Sequence, residues 1–506
     1  MKLRFFHLLA AGFAGLLTAI AFPKIGAPFF AWISLIPLLF VIVLLKPGRS
    51  FLAGWAAGTV FYGILLYWIP AVPVHYGHLS TAFSLLIYLA LILLLASTWG
   101  AFALLFSAIH RKDPLAAFFA APYMWVALEF IMSRILTGFP WGVLGLSQYQ
   151  NLALIQVSAF TGVYGVSFVL VLFQSLFVYS MRASKRAPFA AVLIVLVLVH
   201  LGGFLSLKNI PESPETFTAA VIQGNVSSDL YWNEVSAKDI LALFETHLDL
   251  TKQAFDAGAR LIIWPEFTAP MCFSCDDPIY QSFKRILSQF VQETGATLLL
   301  GTNETAGPPG QELYFNTALA LRPDLGITKY AKTHLVPFGE YTPYKKIFGF
   351  IEKMTHAIGE VTPGPGPSLH AFESWRFGSP ICYELIFPDL VRRFTKQGAD
   401  FLATITNDGW YGKTSAPYQH FSNAVFRAVE NRRFMLRAAT TGISGIIDPY
   451  GRVVARTEIG TRAFLAGRVT PSKRLTFYAR YGDAFSILCL TISAIFFIMS
   501  LLKRRP

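Results

Sequence analysis

Three short apolar runs of this chain end in a residue able to do chemistry: LIIWPE closes on Glu266, KYAK on Lys332 and SPIC on Cys382. A thiol has an ordinary pKa of about 8.5, so it needs a base or a cation nearby to attack at neutral pH. Alone, each residue has an ordinary explanation: a small buried cysteine, and two charges at the surface. A carboxylate, an amine and a thiol that each terminate an apolar strand make nucleophilic catalysis the stronger reading. The segment after the cysteine, ELIFPDLVRRF, reads as the start of a helix. A thiol at a helix N-terminus has its thiolate favoured by the helix dipole, and this is the expectation for Cys382. The backbone N–H of Tyr383 is a candidate oxyanion donor.

The elements that must position these residues alternate along the middle of the chain. TAAVIQGN, RLIIWPE, ATLLLGTNE, FNTALALRPDLG, KYAKTH and RFGSPICYE read as strands, and ISGIIDPYGRVVART carries more strand pattern. SAKDILALFETHLDLTKQAFDAG, DPIYQSFKRILSQFVQETG and DLVRRFTKQG have the periodicity of amphipathic helices, the first opened by a Ser cap. This is an α/β pattern. GTNETAG and PGPGPS match neither the P-loop nor the dinucleotide fingerprint, so nucleotide binding has no support.

The flanks are different. Of 506 residues 54% are hydrophobic and 14% charged, against about 25% charged in a soluble protein. The net charge is +13, but residues 208–480 hold 28 Lys and Arg against 26 Asp and Glu, so the excess lies around the apolar parts. That distribution points to membrane topology and away from nucleic acid. Apolar runs near 6–22, 29–45, 51–70, 80–109, 115–133, 158–181, 188–207 and 484–502 predict eight transmembrane helices. The predicted domains are a seven-helix membrane domain over 1–207, an α/β domain over 208–480, and a last helix with a basic tail over 481–506.

With the N-terminus in the cytoplasm, twelve Lys and Arg lie on the cytoplasmic side, and only Lys24 and Arg134 occupy the short outer loops. The positive-inside rule then puts both termini in the cytoplasm and 208–480 in the periplasm of a bacterial inner membrane. Lys2 and Arg4 ahead of an apolar stretch ending in Ala19-Ile20-Ala21 also fit a cleaved signal peptide, which would remove one helix without reversing the rest. Glu129 is a carboxylate at membrane depth, either a structural hydrogen bond or a contact to a head group or loop. TGFPWGVLGLSQYQN reads as an interfacial or re-entrant loop with Trp141 as its anchor.

The order Glu266, Lys332, Cys382, with WPE, KTHLVPFGEY and CYE, resembles the nitrilase superfamily. With the membrane helices and the motifs QGN and TNDGWYG, the whole chain resembles the apolipoprotein N-acyltransferases, the membrane-embedded branch. The resemblance implies a nitrilase-like α-β-β-α sandwich. It also implies acyl transfer from a phospholipid donor to the amine of a diacylglyceryl apolipoprotein, with no cofactor and no metal. In that scheme Glu266 takes the thiol proton, Lys332 faces the oxyanion and Cys382 carries the acyl group; Trp232, Glu340, Tyr383 and Glu384 match supporting positions.

FGEYTPYKKIFGFIEKMTHAIGE places Phe348 and Phe350 beside Lys345 and Lys346, as an interfacial arm or lid would. Trp410 and Tyr411 of TNDGWYG are a second candidate for the lipid-entry rim. Cys272 and Cys275 lack two further ligands at zinc spacing, so a disulfide and two free thiols stay open. Cys489 reads as packing and His334 as a loop hydrogen-bonder. Two other readings compete: a membrane-tethered amidase or nitrilase using the same three residues on a small amide, and a transporter, for which a polar midplane path and repeated halves are missing.

Overall fold

The computed structural model describes residues 3–209, 215–226, 237–269, 272–273, 275, 277–308, 310–348 and 360–503. The chain divides into two compact units. One comprises Met1–Pro70, Ser80–Ile210 and Tyr481–Pro506; the other comprises Ala71–Leu79 and Pro211–Arg480.

Among the described residues of the first unit, five helices are long and apolar enough to cross a membrane: Thr81–His110, Pro114–Met132, Tyr164–Ala183, Ala187–Lys208 and Ala484–Leu502. Phe5–Ala21 is a shorter apolar helix, and Pro47–Leu65 is diluted by Arg49, Gly54 and Gly58. Two predicted spans are interrupted. Residues 29–45 divide into a 3-10 turn, Pro28–Trp32, and a helix, Ile36–Ile42, each with a proline in its first turn. Residues 158–181 break at Gly162, whose φ of 67° ends Ser158–Thr161 before Tyr164–Ala183 begins. Where helices meet, glycine permits backbone contact: a Cβ on Gly54 would lie 2.3 Å from Trp99 O, and one on Gly15 2.1 Å from Ala57 O. Small residues serve this purpose in lipid, where apolar side chains gain little by leaving the tails.

Ala484–Leu502 runs antiparallel to Pro114–Met132, tied at one end by Arg134 to Asp483 and at the other by Lys503 Nζ to Asp113 Oδ2 at 2.7 Å. Glu129 is buried and accepts from Trp125 Nε1 at 2.9 Å and Leu144 N at 2.7 Å. It makes a structural bond, not a head-group contact. Trp141 is not an interfacial anchor either. Two 3-10 turns, Pro140–Gly142 and Leu144–Gln148, fold its segment inward. Its ring is buried beside Trp68 and Phe139.

Among its described residues the second unit is built on twelve strands: β1 Phe217–Gln223, β2 Leu261–Ile263, β3 Thr297–Ala306, β4 Leu313–Leu321, β5 Ile327–Ala331, β6 Leu369–Phe372, β7 Trp375–Gly378, β8 Phe401–Thr406, β9 Met435–Ala439, β10 Gly445–Ile447, β11 Val453–Arg456 and β12 Ala463–Val469. They form two six-stranded sheets, ordered β12-β1-β2-β3-β4-β5 and β11-β10-β9-β8-β7-β6. On the first sheet Ala220, Ile222, Ile262, Trp264, Leu298 and Leu300 pack against Phe244 and Leu250 of helix Ala237–Asp256 and Leu287 and Val291 of helix Pro278–Thr294. Helices Pro388–Lys396 and Ala416–Asn431 cover the second sheet. The sheets face each other, and Phe217 of β1 lies against Phe372, Trp375 and Phe401 of the second sheet. This is a nitrilase-like α-β-β-α sandwich.

Gln223, the glutamine of QGN, is a buried stitch in this unit. Its Nε2 donates to Glu458 O at 2.9 Å, and its Oε1 accepts from the Ser444 and Thr457 hydroxyls, each at 2.7 Å. At the end of β2 a second close fit decides where the glutamate sits. A Cβ on Gly301 of β3 would lie 2.2 Å from Pro265 O and 2.6 Å from Glu266 Cα. Gly301→Ala is therefore expected to destabilise the unit by about 1–3 kcal/mol, as overpacking does, and to displace Glu266. Thermal unfolding and Cys382 reactivity check this; an unchanged melting curve with unchanged reactivity would show that the turn yields freely.

Candidate functional site

β1, β2, β3 and β5 run parallel, as do β7, β8 and β9, so the carboxyl ends of each set lie together. Such ends, where strands hand over to loops, are where α/β folds hold their ligands. Glu266 follows β2 by three residues, Lys332 is the first residue after β5, and Cys382 follows β7 through Ile381, which bridges to Ile405 of β8.

Lys332 Nζ lies 2.8 Å from Glu340 Oε1 and 3.3 Å from Glu266 Oε1. Asn316 Nδ2 donates to the same two oxygens, at 2.8 Å to Glu266 and 3.1 Å to Glu340. The second carboxylate oxygens accept backbone hydrogens: Glu266 Oε2 from Asn407 N at 2.8 Å, and Glu340 Oε2 from Val336 N at 2.7 Å. All four side chains are at most 3% exposed. Glu384 closes the other side. Its Oε1 accepts from Tyr330 Oη and Thr333 N, both at 2.7 Å, and from His334 N at 3.0 Å, while its Oε2 accepts from Ile381 N at 2.7 Å. One carboxylate thus ties the loop after Lys332 to the turn that carries Cys382.

Burial would strip Lys332 of its proton, but Glu340 and then Glu266 outweigh it and hold the amine above its ordinary value. The thiol behaves otherwise than the helix-dipole argument expects. Cys382 opens a 3-10 turn, Cys382–Ile386, and the α-helix starts only at Pro388. Burial, then the negative charge of Glu266, push the thiol well up, and the opposing effect of Lys332 is smaller. At rest it is an SH group.

Asn316 and Asn407 are the partners that sequence reasoning missed. Asn316 stands in FNTALAL, where a polar side chain at a buried position of an otherwise apolar strand was the available signal. The Asn407 contribution is a main-chain hydrogen, which no residue type announces. Trp410 and Tyr411, the second candidate for the lipid-entry rim, are both half-buried. Trp410 is half-buried with its ring 4.5 Å from Tyr76, whose hydroxyl donates to Gly409 O at 3.2 Å. Tyr411 is half-buried, and its phenol is held well above the ordinary tyrosine range by burial and then by Cys382, Asp408, Glu266 and Tyr383, so it faces the reactive residues. Trp232, Phe350 and the side chain of Phe348 lie outside the described residues. Cys272 and Cys275 form a disulfide beside Thr305. Among the described residues no group of three His, Cys, Asp or Glu side chains is placed to hold a metal ion.

Residues 218–472 match the carbon-nitrogen hydrolase family, and residues 14–176 match the apolipoprotein N-acyltransferase N-terminal domain. The apolipoprotein N-acyltransferase of Geobacter metallireducens is 37% identical over 503 residues, covering 96% of this chain and 94% of that protein. The chain belongs to the apolipoprotein N-acyltransferase family. Relatives of the same name in Azotobacter vinelandii and Pseudomonas aeruginosa are each 32% identical, covering 93% and 94% of this chain and 92% of their own lengths. Among solved structures, Nit3 of Saccharomyces cerevisiae, a member of branch 10 of the nitrilase superfamily, has a TM-score of 0.40 at 18% identity, covering 53% of this chain and 95% of its own.

The raised thiol gives this family member a testable pH signature. An ordinary cysteine levels off in alkylation above its pKa of about 8.5. Cys382 is expected to alkylate with iodoacetamide at a rate still climbing beyond that pH. Glu266→Gln removes the largest charge opposing the thiolate, so the inflection moves to lower pH. Mass spectrometry of the Cys382 adduct reads both rates, and a wild-type plateau below pH ~8.5 would overturn the assignment.

Proposed function

We propose that this chain transfers a fatty acyl group from a membrane phospholipid to the α-amine of the N-terminal diacylglyceryl-cysteine of an apolipoprotein, by way of a thioester on Cys382. The observation that carries the mechanism is the buried Glu266–Lys332–Glu340 cluster at the strand ends beside the Cys382 turn.

Glu266 takes the Cys382 proton as sulfur bonds to the ester carbonyl carbon. The carbonyl oxygen becomes an oxyanion that faces the Lys332 ammonium and the Tyr383 N–H. The intermediate collapses, the bond to the glycerol oxygen breaks, and Glu266 returns the proton to the departing lysophospholipid. The acceptor amine then attacks the thioester; Glu266 takes a proton from nitrogen and delivers it to the leaving sulfur, which restores the enzyme. This is a ping-pong exchange. Glu340 acts by keeping Lys332 charged, since Lys332 between two carboxylates holds its proton through the cycle. Glu384 acts by holding the turn and the loop in register.

The excess of Lys and Arg on one side of the apolar segments supports eight membrane spans, cytoplasmic termini and a periplasmic location for 208–480. Phospholipid is the donor that such a location offers.

Purified protein in detergent, given acyl-labelled phospholipid and no acceptor, is expected to retain label that neutral hydroxylamine releases, and Cys382→Ser is expected to retain none. A lipopeptide with a free N-terminal amine should discharge the label, and its N-acetylated form should not. Label lost to water at the same rate without acceptor would make the protein a hydrolase instead. No label at all would exclude phospholipid as donor.

A further inference from the structure

Cys382 has φ +48°, in the left-handed region that residues with a side chain seldom occupy. A second buried cluster meets its carbonyl oxygen. The Cys382 carbonyl oxygen lies 3.1 Å from His420 Nε2. On its other edge the His420 ring meets Asp408 Oδ1 at 3.1 Å and Arg437 Nη2 at 3.2 Å. Arg437 Nη2 also donates to Asp408 Oδ2 at 2.7 Å and Arg437 Nε to Ile443 O at 3.0 Å, while the Thr406 hydroxyl donates to Asp408 Oδ1 at 3.2 Å. Asp408, His420 and Arg437 are at most 1% exposed. Gly442 leaves the space in which the carboxylate sits, because a Cβ there would lie 2.1 Å from Asp408 Oδ2.

Burying three ionisable side chains is costly, and the cluster converges on the carbonyl of the nucleophile. A carbonyl only accepts, so Nε2 carries the hydrogen and the neutral ring turns its Nδ1 lone pair to Arg437. Burial and Arg437 both hold the imidazole below its ordinary value. Against the upward push of burial, Arg437 draws Asp408 down to about 2. At neutral pH the cluster is one ion pair and one neutral ring.

The peptide unit is planar and trans, so its C=O and N–H point in opposite directions. Fixing the Cys382 carbonyl toward His420 turns the Tyr383 N–H the other way. We propose that His420, seated by Asp408 and Arg437, is a positioning residue that sets the Cys382–Tyr383 peptide plane so that the Tyr383 N–H faces the oxyanion of acyl transfer. His420 touches no reacting atom; it acts through the peptide, and its hydrogen bond also polarises that N–H. The proposal rests on Cys382 being the acyl-transfer nucleophile.

Two electrophiles separate this role from a purely structural one. An acyl ester passes through an oxyanion, whereas iodoacetamide is displaced at saturated carbon and forms none. In the full-length protein, His420→Asn leaves an amide near the Nδ1 position and loses the bond to the carbonyl; His420→Gln restores a donor at the Nε2 position. His420→Asn is expected to slow acylation of Cys382 by about 10–100-fold, part of the effect of losing an oxyanion donor. The donor KM and the alkylation rate should stay near wild type, and His420→Gln should recover most of the loss. Equal falls in acylation and alkylation would make His420 a support of the thiol or the fold and overturn the proposal, as would unchanged acylation in His420→Asn. A wild type that alkylates at Cys382 but takes no acyl group from phospholipid would instead condemn the donor assignment. The two rates are then compared with a p-nitrophenyl acyl ester, which forms the same oxyanion.

Discussion

An amine held between two carboxylates, out of water, is the constraint on which the catalytic unit depends. Lys332 lies 2.8 Å from Glu340 and 3.3 Å from Glu266. Stripping such charges of water costs several kcal/mol each, and only close pairing with every oxygen and hydrogen satisfied offsets it. The strand ends supply that pairing, and Asn316 bridges the two carboxylates from below the amine. Removing Lys332 would leave two buried carboxylates uncompensated, with a loss of about 3–5 kcal/mol. Two carboxylates against one ammonium leave an excess negative charge. That excess keeps Lys332 protonated and, through Glu266, keeps Cys382 a thiol.

The sandwich explains how residues so far apart in sequence meet. Parallel strands in both sheets bring their carboxyl ends together, and each contributes one functional group there: β2 a carboxylate, β5 an amine, β7 a thiol, β8 a backbone hydrogen on Glu266. Glu384 then joins the loop after β5 of the first sheet to the turn after β7 of the second. A small movement between the sheets would separate Glu266 from Cys382, and the buried stitches at Glu384 and Gln223 oppose it.

Much of this was legible in the sequence because a strand that ends on Glu, Lys or Cys breaks the apolar pattern visibly. The α/β alternation was visible for the same reason. Other features left no such mark. Asn316 is one polar residue in a strand, and a pleat puts half its residues outside. The positive φ of Cys382 is another, since a cysteine gives no hint of it. Trp141 misled because an indole suits both an interface and a core, and only folding chooses.

Two buried networks meet at Cys382, and their charges explain why they can do so without interfering. The first carries a net negative charge. The second contains Asp408, whose carboxylate on its own would push the thiol further up. Arg437 at 2.7 Å turns it into a compact ion pair, whose field falls off faster than that of a charge. The second network can then grip the backbone of the nucleophile firmly while adding little to its electrostatics. His420 conveys that grip as a neutral ring, so the proton on Cys382 answers chiefly to Glu266 and Lys332, and the geometry of its peptide to Asp408 and Arg437.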